Sequence, residues 1–154
     1  MAFKIFLSHS VAPRELGIVY ATANEGAKRG ASPFIPDRDW DPKREIPDRI
    51  ESHLKEADYF LAIATSSGFH FEWLNREVQE AKKEKRPLLL VVDREIKVPP
   101  KLTPIRIDRM NPAKTVHQVA EHLEKYRKDK DTKQLLTWLG VGGILFLLFL
   151  GSKE

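Results

Sequence analysis

The 154-residue chain has no cysteine. Disulfides, thiolate nucleophiles and cysteine-ligated zinc are therefore excluded, and a reducing compartment suits the protein. The chain also lacks the dispersed Lys/Arg face with interleaved aromatics that marks a nucleic-acid binder. Its net charge is +4, and much of the basic excess lies between Lys125 and Lys133. The stretch Met1-Ala2-Phe3-Lys4 enters a strand-like run at once, without the apolar core and cleavage site of a secretory leader, so none is expected. Metal patterns fail as well. Asp37, Asp39 and Asp41 alternate like the start of a calcium loop, but the sixth position of such a loop demands glycine and here is Pro42. His117 and His122 are five residues apart and share no helix face. No metal and no cofactor is expected.

What is present points to one globular domain with an appendage. The chain is 42% hydrophobic and 31% charged, which excludes a disordered protein. Residues 1–128 are long enough for one core. Residues 129–134 read as a basic linker. Leu135 to Gly151 carries no charge and, at about 17 residues, is at the short end of what spans a bilayer. Basic residues Lys125, Arg127, Lys128, Lys130 and Lys133 precede it, so the positive-inside rule places the large amino-terminal part in the cytoplasm. The expectation is a single-pass membrane helix over 135–151. The alternative is a buried core helix, although such a helix normally keeps a polar stripe and Gly142 to Gly151 has none.

Taken in order, Phe3 to Leu7 reads as a buried strand, followed by Ser8-His9-Ser10. The spacing predicts a helix over Arg14 to Arg29, headed by Pro13 and closed by Gly30. A short strand at Ser32 to Pro36 leads into a polar loop, Asp37 to Glu45, and Pro47 opens a second helix. Tyr59 to Ala64 is apolar throughout, as in a strand covered on both faces. A third helix carries Arg76 to Lys85 before Pro87, Leu88 to Val92 is a fourth strand and Ile105 to Ile107 a fifth. Val116, Val119, Ala120 and Leu123 mark a last amphipathic helix. Alternation of this kind predicts a doubly wound α/β fold, a central parallel sheet with helices on both faces. Ligands of such sheets bind beyond the carboxyl ends of the strands. There the chain offers Ser8 to Ser10, the loop Asp37 to Glu45 and the segment Thr65 to Phe71, all converging on Trp73-Leu74-Asn75-Arg76-Glu77.

These pieces together resemble a TIR (Toll/interleukin-1 receptor) domain of the prokaryotic type. The resemblance is carried by Phe6-Leu7-Ser8-His9-Ser10, the loop around Arg38-Asp39 ending in Ile46, and the apolar strand before Thr65-Ser66-Ser67. It continues in the W-x-x-x-E pattern from Trp73 to Glu77 and in Lys85-Arg86-Pro87-Leu88-Leu89-Leu90. It covers about Ala2 to Lys128 in the family's order. It implies a flavodoxin-like fold with a five-stranded parallel sheet, and self-association through TIR domains. In members that cleave NAD at the nicotinamide–ribose bond, the glutamate of the pattern is catalytic, which maps to Glu77. Other members are adaptors without catalysis. Two positions differ from the pattern: Phe71 stands where many members carry serine, and Val11-Ala12-Pro13-Arg14 where an acidic residue is common.

The chemistry is consistent with a lone carboxylate. Ordinary glycosidases use two carboxyl groups, one of which protonates the leaving oxygen. Nicotinamide leaves a cationic pyridinium as a neutral molecule and needs no acid. One carboxylate can hold the ribose hydroxyls and stabilise positive charge at the anomeric carbon. The expectation is a membrane-anchored NAD+ nucleosidase giving ADP-ribose or a cyclic ADP-ribose-type product. It would be activated by TIR–TIR assembly, in prokaryotic antiphage defence, with NAD+ as substrate and a sensor or effector protein as a possible partner. The alternative is an adaptor acting through TIR–TIR contacts at the membrane. Glu77 is the catalytic candidate. Ser8, His9, Ser10, Arg38, Asp39, Lys43, Arg44, Ser66 and Trp73 are the substrate-binding candidates. Against these stand plainer readings: Glu77 as a solvated helix carboxylate, Trp73 as a packing residue, His9 as a loop histidine, and the basic loop as solvated charge. A receiver-like reading fails because Thr65 and Ser8 to Ser10 stand where a phosphorylatable Asp and an acidic cluster belong.

Overall fold

The computed structural model describes residues 3–98, 100 and 102–128. The elements run β1 (Phe3–Ser10), a 3-10 turn (Pro13–Glu15), α1 (Leu16–Lys28), β2 (Ala31–Phe34), α2 (Asp48–Glu56), β3 (Tyr59–Ala64), α3 (Phe71–Lys83), β4 (Leu88–Val92), β5 (Ile105–Arg106) and α4 (Pro112–Lys128). The five strands form one parallel sheet in the order β2-β1-β3-β4-β5. This is the doubly wound order in which the chain reverses direction across the sheet between β1 and β3.

Alternation along the strands divides the core in two. Phe60, Ala62 and Ala64 of β3 join Phe6, Leu88, Leu90 and Val92 against Ile50, Leu54, Leu74 and Val78 of α2 and α3. Tyr59, Leu61 and Ile63 join Ile5, Leu7, Leu89 and Val91 against Val19 of α1 and Val119, Leu123 and Tyr126 of α4. Every residue of β3 and β4 is buried, which is why both runs are apolar without alternation. Pro33 falls in β2, an edge strand where a missing N–H is tolerated. The parity that turns Phe6 toward α3 also turns Ser8 toward α3, and this places the site.

The element boundaries differ from the expected ones for local reasons. Pro13 heads a 3-10 turn, and the helix proper begins at Leu16. Gly30, with φ +94°, sits outside α1 and ends it. β2 ends at Phe34 and β5 at Arg106. Helix α3 starts at Phe71, two residues before Trp73, and stops at Lys83, not Lys85. Lys85 lies in the left-handed region with φ 55°. The Lys85 amide donates to Lys82 O and the Arg86 amide to Ala81 O, at 3.0 and 3.1 Å, the paired bonds of a Schellman ending. Among the described residues no helix is long and apolar enough to cross a membrane. The expected linker 129–134 and spanning helix 135–151 lie outside the described residues.

Candidate active site

Three elements meet at one carboxylate. Glu77 faces the sheet from α3 and is fully buried. Ser8 Oγ, from β1, donates to Glu77 Oε1 at 2.5 Å. Arg38 Nη1, from the loop between β2 and α2, donates to Glu77 Oε2 at 2.6 Å. Arg38 Nη2 donates to His9 O at 2.7 Å. The Arg38 side chain is only 9% exposed, so guanidinium and carboxylate form a buried ion pair. Burial pushes the Glu77 carboxyl above its ordinary value, while Arg38 and the Ser8 hydroxyl pull against that rise. Both carboxylate oxygens are occupied in this geometry.

The loop that carries Arg38 is tied down on both sides. Arg49 of α2 forks onto the Asp37 carboxylate at 2.8 and 2.9 Å, and the Asp39 amide donates to Asp37 Oδ1 at 3.0 Å. Arg49 and the Asp39 amide hold the Asp37 carboxyl down at about 2, against a smaller opposing push from burial. Trp40 Nε1 donates to Asp37 O at 2.8 Å, and Trp73 Nε1 of α3 donates to Trp40 O at 2.7 Å. Trp73 therefore anchors the Arg38 loop to α3.

The segment between β3 and α3 is pinned across the carboxyl end of β1. The Thr65 amide donates to Ser10 O at 3.0 Å, and Ser10 Oγ donates to Phe69 O at 2.5 Å. Gly68 lies so close to Ser10 that a Cβ there would collide with the Ser10 carbonyl. This close backbone approach requires glycine. A second ion cluster holds the far side. Arg109, after β5, forks onto Asp93 at 2.6 and 2.9 Å and reaches Glu15 Oε2 at 2.5 Å. Glu15 Oε1 accepts from Thr65 Oγ1 at 2.7 Å, and Asp93 Oδ2 accepts from the Ser66 amide at 2.8 Å. Burial raises the Glu15 carboxyl, but hydrogen bonds from Thr65, Arg109 and the Ala12 amide outweigh that and bring it to about 2.

The expected site residues thus divide. Ser8 and Arg38 touch Glu77 directly, His9 joins them through its carbonyl, and Ser10 positions the neighbouring loop. Trp73 supports the Arg38 loop through its indole N–H. Asp39 and Lys43 are exposed, and the Arg44 side chain is 85% exposed beside Asp41 at 3.7 Å. Ser66 turns to Asp93 and Glu95. Sequence reasoning missed Arg49, Glu15, Asp93 and Arg109, whose partners lie far along the chain and leave no local pattern.

A carboxylate held by a hydroxyl and a guanidinium at the carboxyl edge, next to the crossover point of a doubly wound sheet, is placed where this architecture binds ligands. No curated protein matches the chain. The profile of the TIR domain matches residues 5–128, a span that contains every described strand and helix except the first two residues of β1. Over that span the chain belongs to the TIR domain family.

Proposed function

We propose that the chain cleaves NAD+ at the nicotinamide–ribose bond, with Glu77 as the catalytic carboxylate and ADP-ribose or a cyclic ADP-ribose-type molecule as product. The observation that carries this reading is the setting of Glu77: fully buried, preorganised by Ser8, and reached from the loop after β2. A preorganised carboxylate in a water-poor site stabilises developing positive charge far better than one in water. Nicotinamide leaves as a neutral molecule, so no general acid is required. Arg38 occupies the oxygen that a ribose hydroxyl would need, so substrate entry requires the Arg38 loop to withdraw. In this reading assembly with a second copy acts on that loop, whose ties to Arg49 and Trp73 must yield for Arg38 to withdraw. The proposal extends to anchoring by residues 135–151, which would confine copies to a plane and raise their effective concentration. It extends also to a role in antiphage defence, with a sensor or effector as partner.

The test is to incubate the clustered chain with NAD+ and measure nicotinamide. Release that disappears in Glu77→Ala supports the proposal, and equal release from both refutes it. A second reading, an adaptor without catalysis, is favoured by one observation: the Glu77 carboxylate is closed off by its own ion pair, as a structural carboxylate would be. Under that reading Glu77→Gln leaves signalling in cells whole, while changes at Trp40 or Arg44 abolish it.

A further inference from the structure

His70 is held in an unusual way for a residue with no part in the chemistry described above. It precedes α3 with φ 69° and ψ 29°, a left-handed conformation that strains a residue with a side chain and would be free for glycine. Its ring meets Trp73 edge-on, with centroids 5.1 Å apart at 89°. Its Nδ1 is buried without a hydrogen-bond partner, and so is Nε of Arg38. Unpaired buried polar atoms are rare and call for an explanation. The charged and titratable groups around the ring are His9 from β1 and Arg38 from the loop after β2, whose guanidinium donates to Glu77 of α3. The Arg38 cation thus acts both on the His70 ring, whose Nδ1 has no partner, and on the Glu77 carboxylate.

Cleavage of the glycosidic bond needs no acid, but its second half needs a base. The C–N bond breaks, its electron pair goes to the pyridinium nitrogen, and neutral nicotinamide departs. The oxygen of water, or a hydroxyl of the substrate itself, bonds to the anomeric carbon within the same loose transition state and loses its proton as it does so, so the rate of nicotinamide release reports on the base. We propose that His70 accepts that proton through Nδ1 once Arg38 has withdrawn, and later returns it to solvent. This assignment rests on the NAD+-cleaving reading. Burial and the neighbouring Arg38 lower the His70 imidazole below its ordinary value, so at neutral pH it is uncharged and able to accept a proton. His9 is less suited. Burial, Arg38 and His70 bring it down to about 3, too weak a base to take a proton from water. Withdrawal of Arg38 also removes the lesser of the two causes that hold His70 down, so opening the site strengthens the base at the moment it is required.

The test uses the clustered full chain with NAD+ and follows nicotinamide release from pH 5 to pH 8.5. The expected wild-type profile rises through the His70 ionisation. His70→Asn tolerates the left-handed backbone but cannot take the proton, so it should lose that rising limb and about 10²-fold or more in rate. His70→Gly relieves the backbone and leaves room for exogenous imidazole, which should restore activity in proportion to its concentration. A merely structural histidine would give neither the lost limb nor the rescue. An active wild type beside a His70→Asn variant with the same rate and profile, or a His70→Gly variant that imidazole does not rescue, overturns this assignment alone. A clustered wild type that releases no nicotinamide overturns the NAD+-cleaving reading and this assignment with it.

Discussion

Replacing Arg38 by alanine removes a cation from a carboxylate that has almost no access to water. Glu77 is 0% exposed and the Arg38 side chain 9% exposed, with 2.6 Å between nitrogen and oxygen. Breaking a buried pair from one side leaves an uncompensated charge and costs about 3–5 kcal/mol, a large share of a typical folding stability of about 5–15 kcal/mol. The remaining hydrogen bond from Ser8 softens this only in part. The carboxyl can escape by taking up a proton. Burial already raises its pKa, and loss of Arg38 raises it further. A folded-state pKa raised above the unfolded value of about 4.3 means that the folded variant is favoured at low pH and loses stability as pH rises through the folded value. The destabilisation by Arg38→Ala is therefore greatest at pH 8 and shrinks toward pH 5. Adding Glu77→Gln removes the stranded charge and recovers part of the loss. The assay is urea denaturation of the full chain in mild detergent, followed by tryptophan fluorescence, with Trp40 reporting from the loop and Trp73 from the helix it is bonded to. Arg44→Ala is the control: an 85% exposed side chain 3.7 Å from its partner should change stability by no more than about 0.5 kcal/mol. An Arg38→Ala variant within about 1 kcal/mol of wild type at pH 8, with no gain from Glu77→Gln, would refute the reasoning that this ion pair closes the site.

Three further outcomes are expected from the same structure. Gly68→Ala forces a methyl onto the Ser10 carbonyl and should destabilise by about 1–3 kcal/mol or more, read as a lowered urea midpoint. Lys85→Gly relieves a left-handed residue at an exposed helix end and should stabilise by about 1 kcal/mol, read as a raised midpoint with an unchanged slope. The Glu15 carboxyl, held at about 2, contributes stability that is complete above its unfolded value of about 4.3 and is lost as pH falls toward 2. Arg109→Ala should shrink that acid-range loss, seen as a flatter plot of stability against pH below pH 5.

The sheet was legible because its pattern is local. Tyr59 to Ala64 and Leu88 to Val92 are apolar on both faces, which only a strand inside a covered parallel sheet requires. The convergence of the loops after β1 and β2 on Glu77 followed from strand order alone. The fate of each charge did not. Arg38 and Arg44 look alike in sequence, yet one is buried against Glu77 and the other is solvated. The difference arises from the ties of the loop to Arg49 and Trp73, partners on separate helices. Trp73 reads as a ring beside a carboxylate at helical spacing, but its indole N–H is spent on Trp40 O. The Glu15–Arg109–Asp93 cluster joins residues up to 94 positions apart, and no periodicity signals it. Helix α3 begins earlier than its run of strong helix formers suggests because Phe71 has a core site to fill, a tertiary gain that outweighs local propensity.

The central claim is that Glu77 is a catalytic carboxylate that becomes available when the Arg38 loop withdraws. The most direct measurement is chromatographic identification of the products formed from NAD+ by the clustered full chain and by Glu77→Gln, which keeps the shape of the side chain and removes its charge. The account predicts nicotinamide with ADP-ribose or a cyclic isomer from the wild type and neither from the variant. Nicotinamide release at the same rate from both, or from neither, would contradict it.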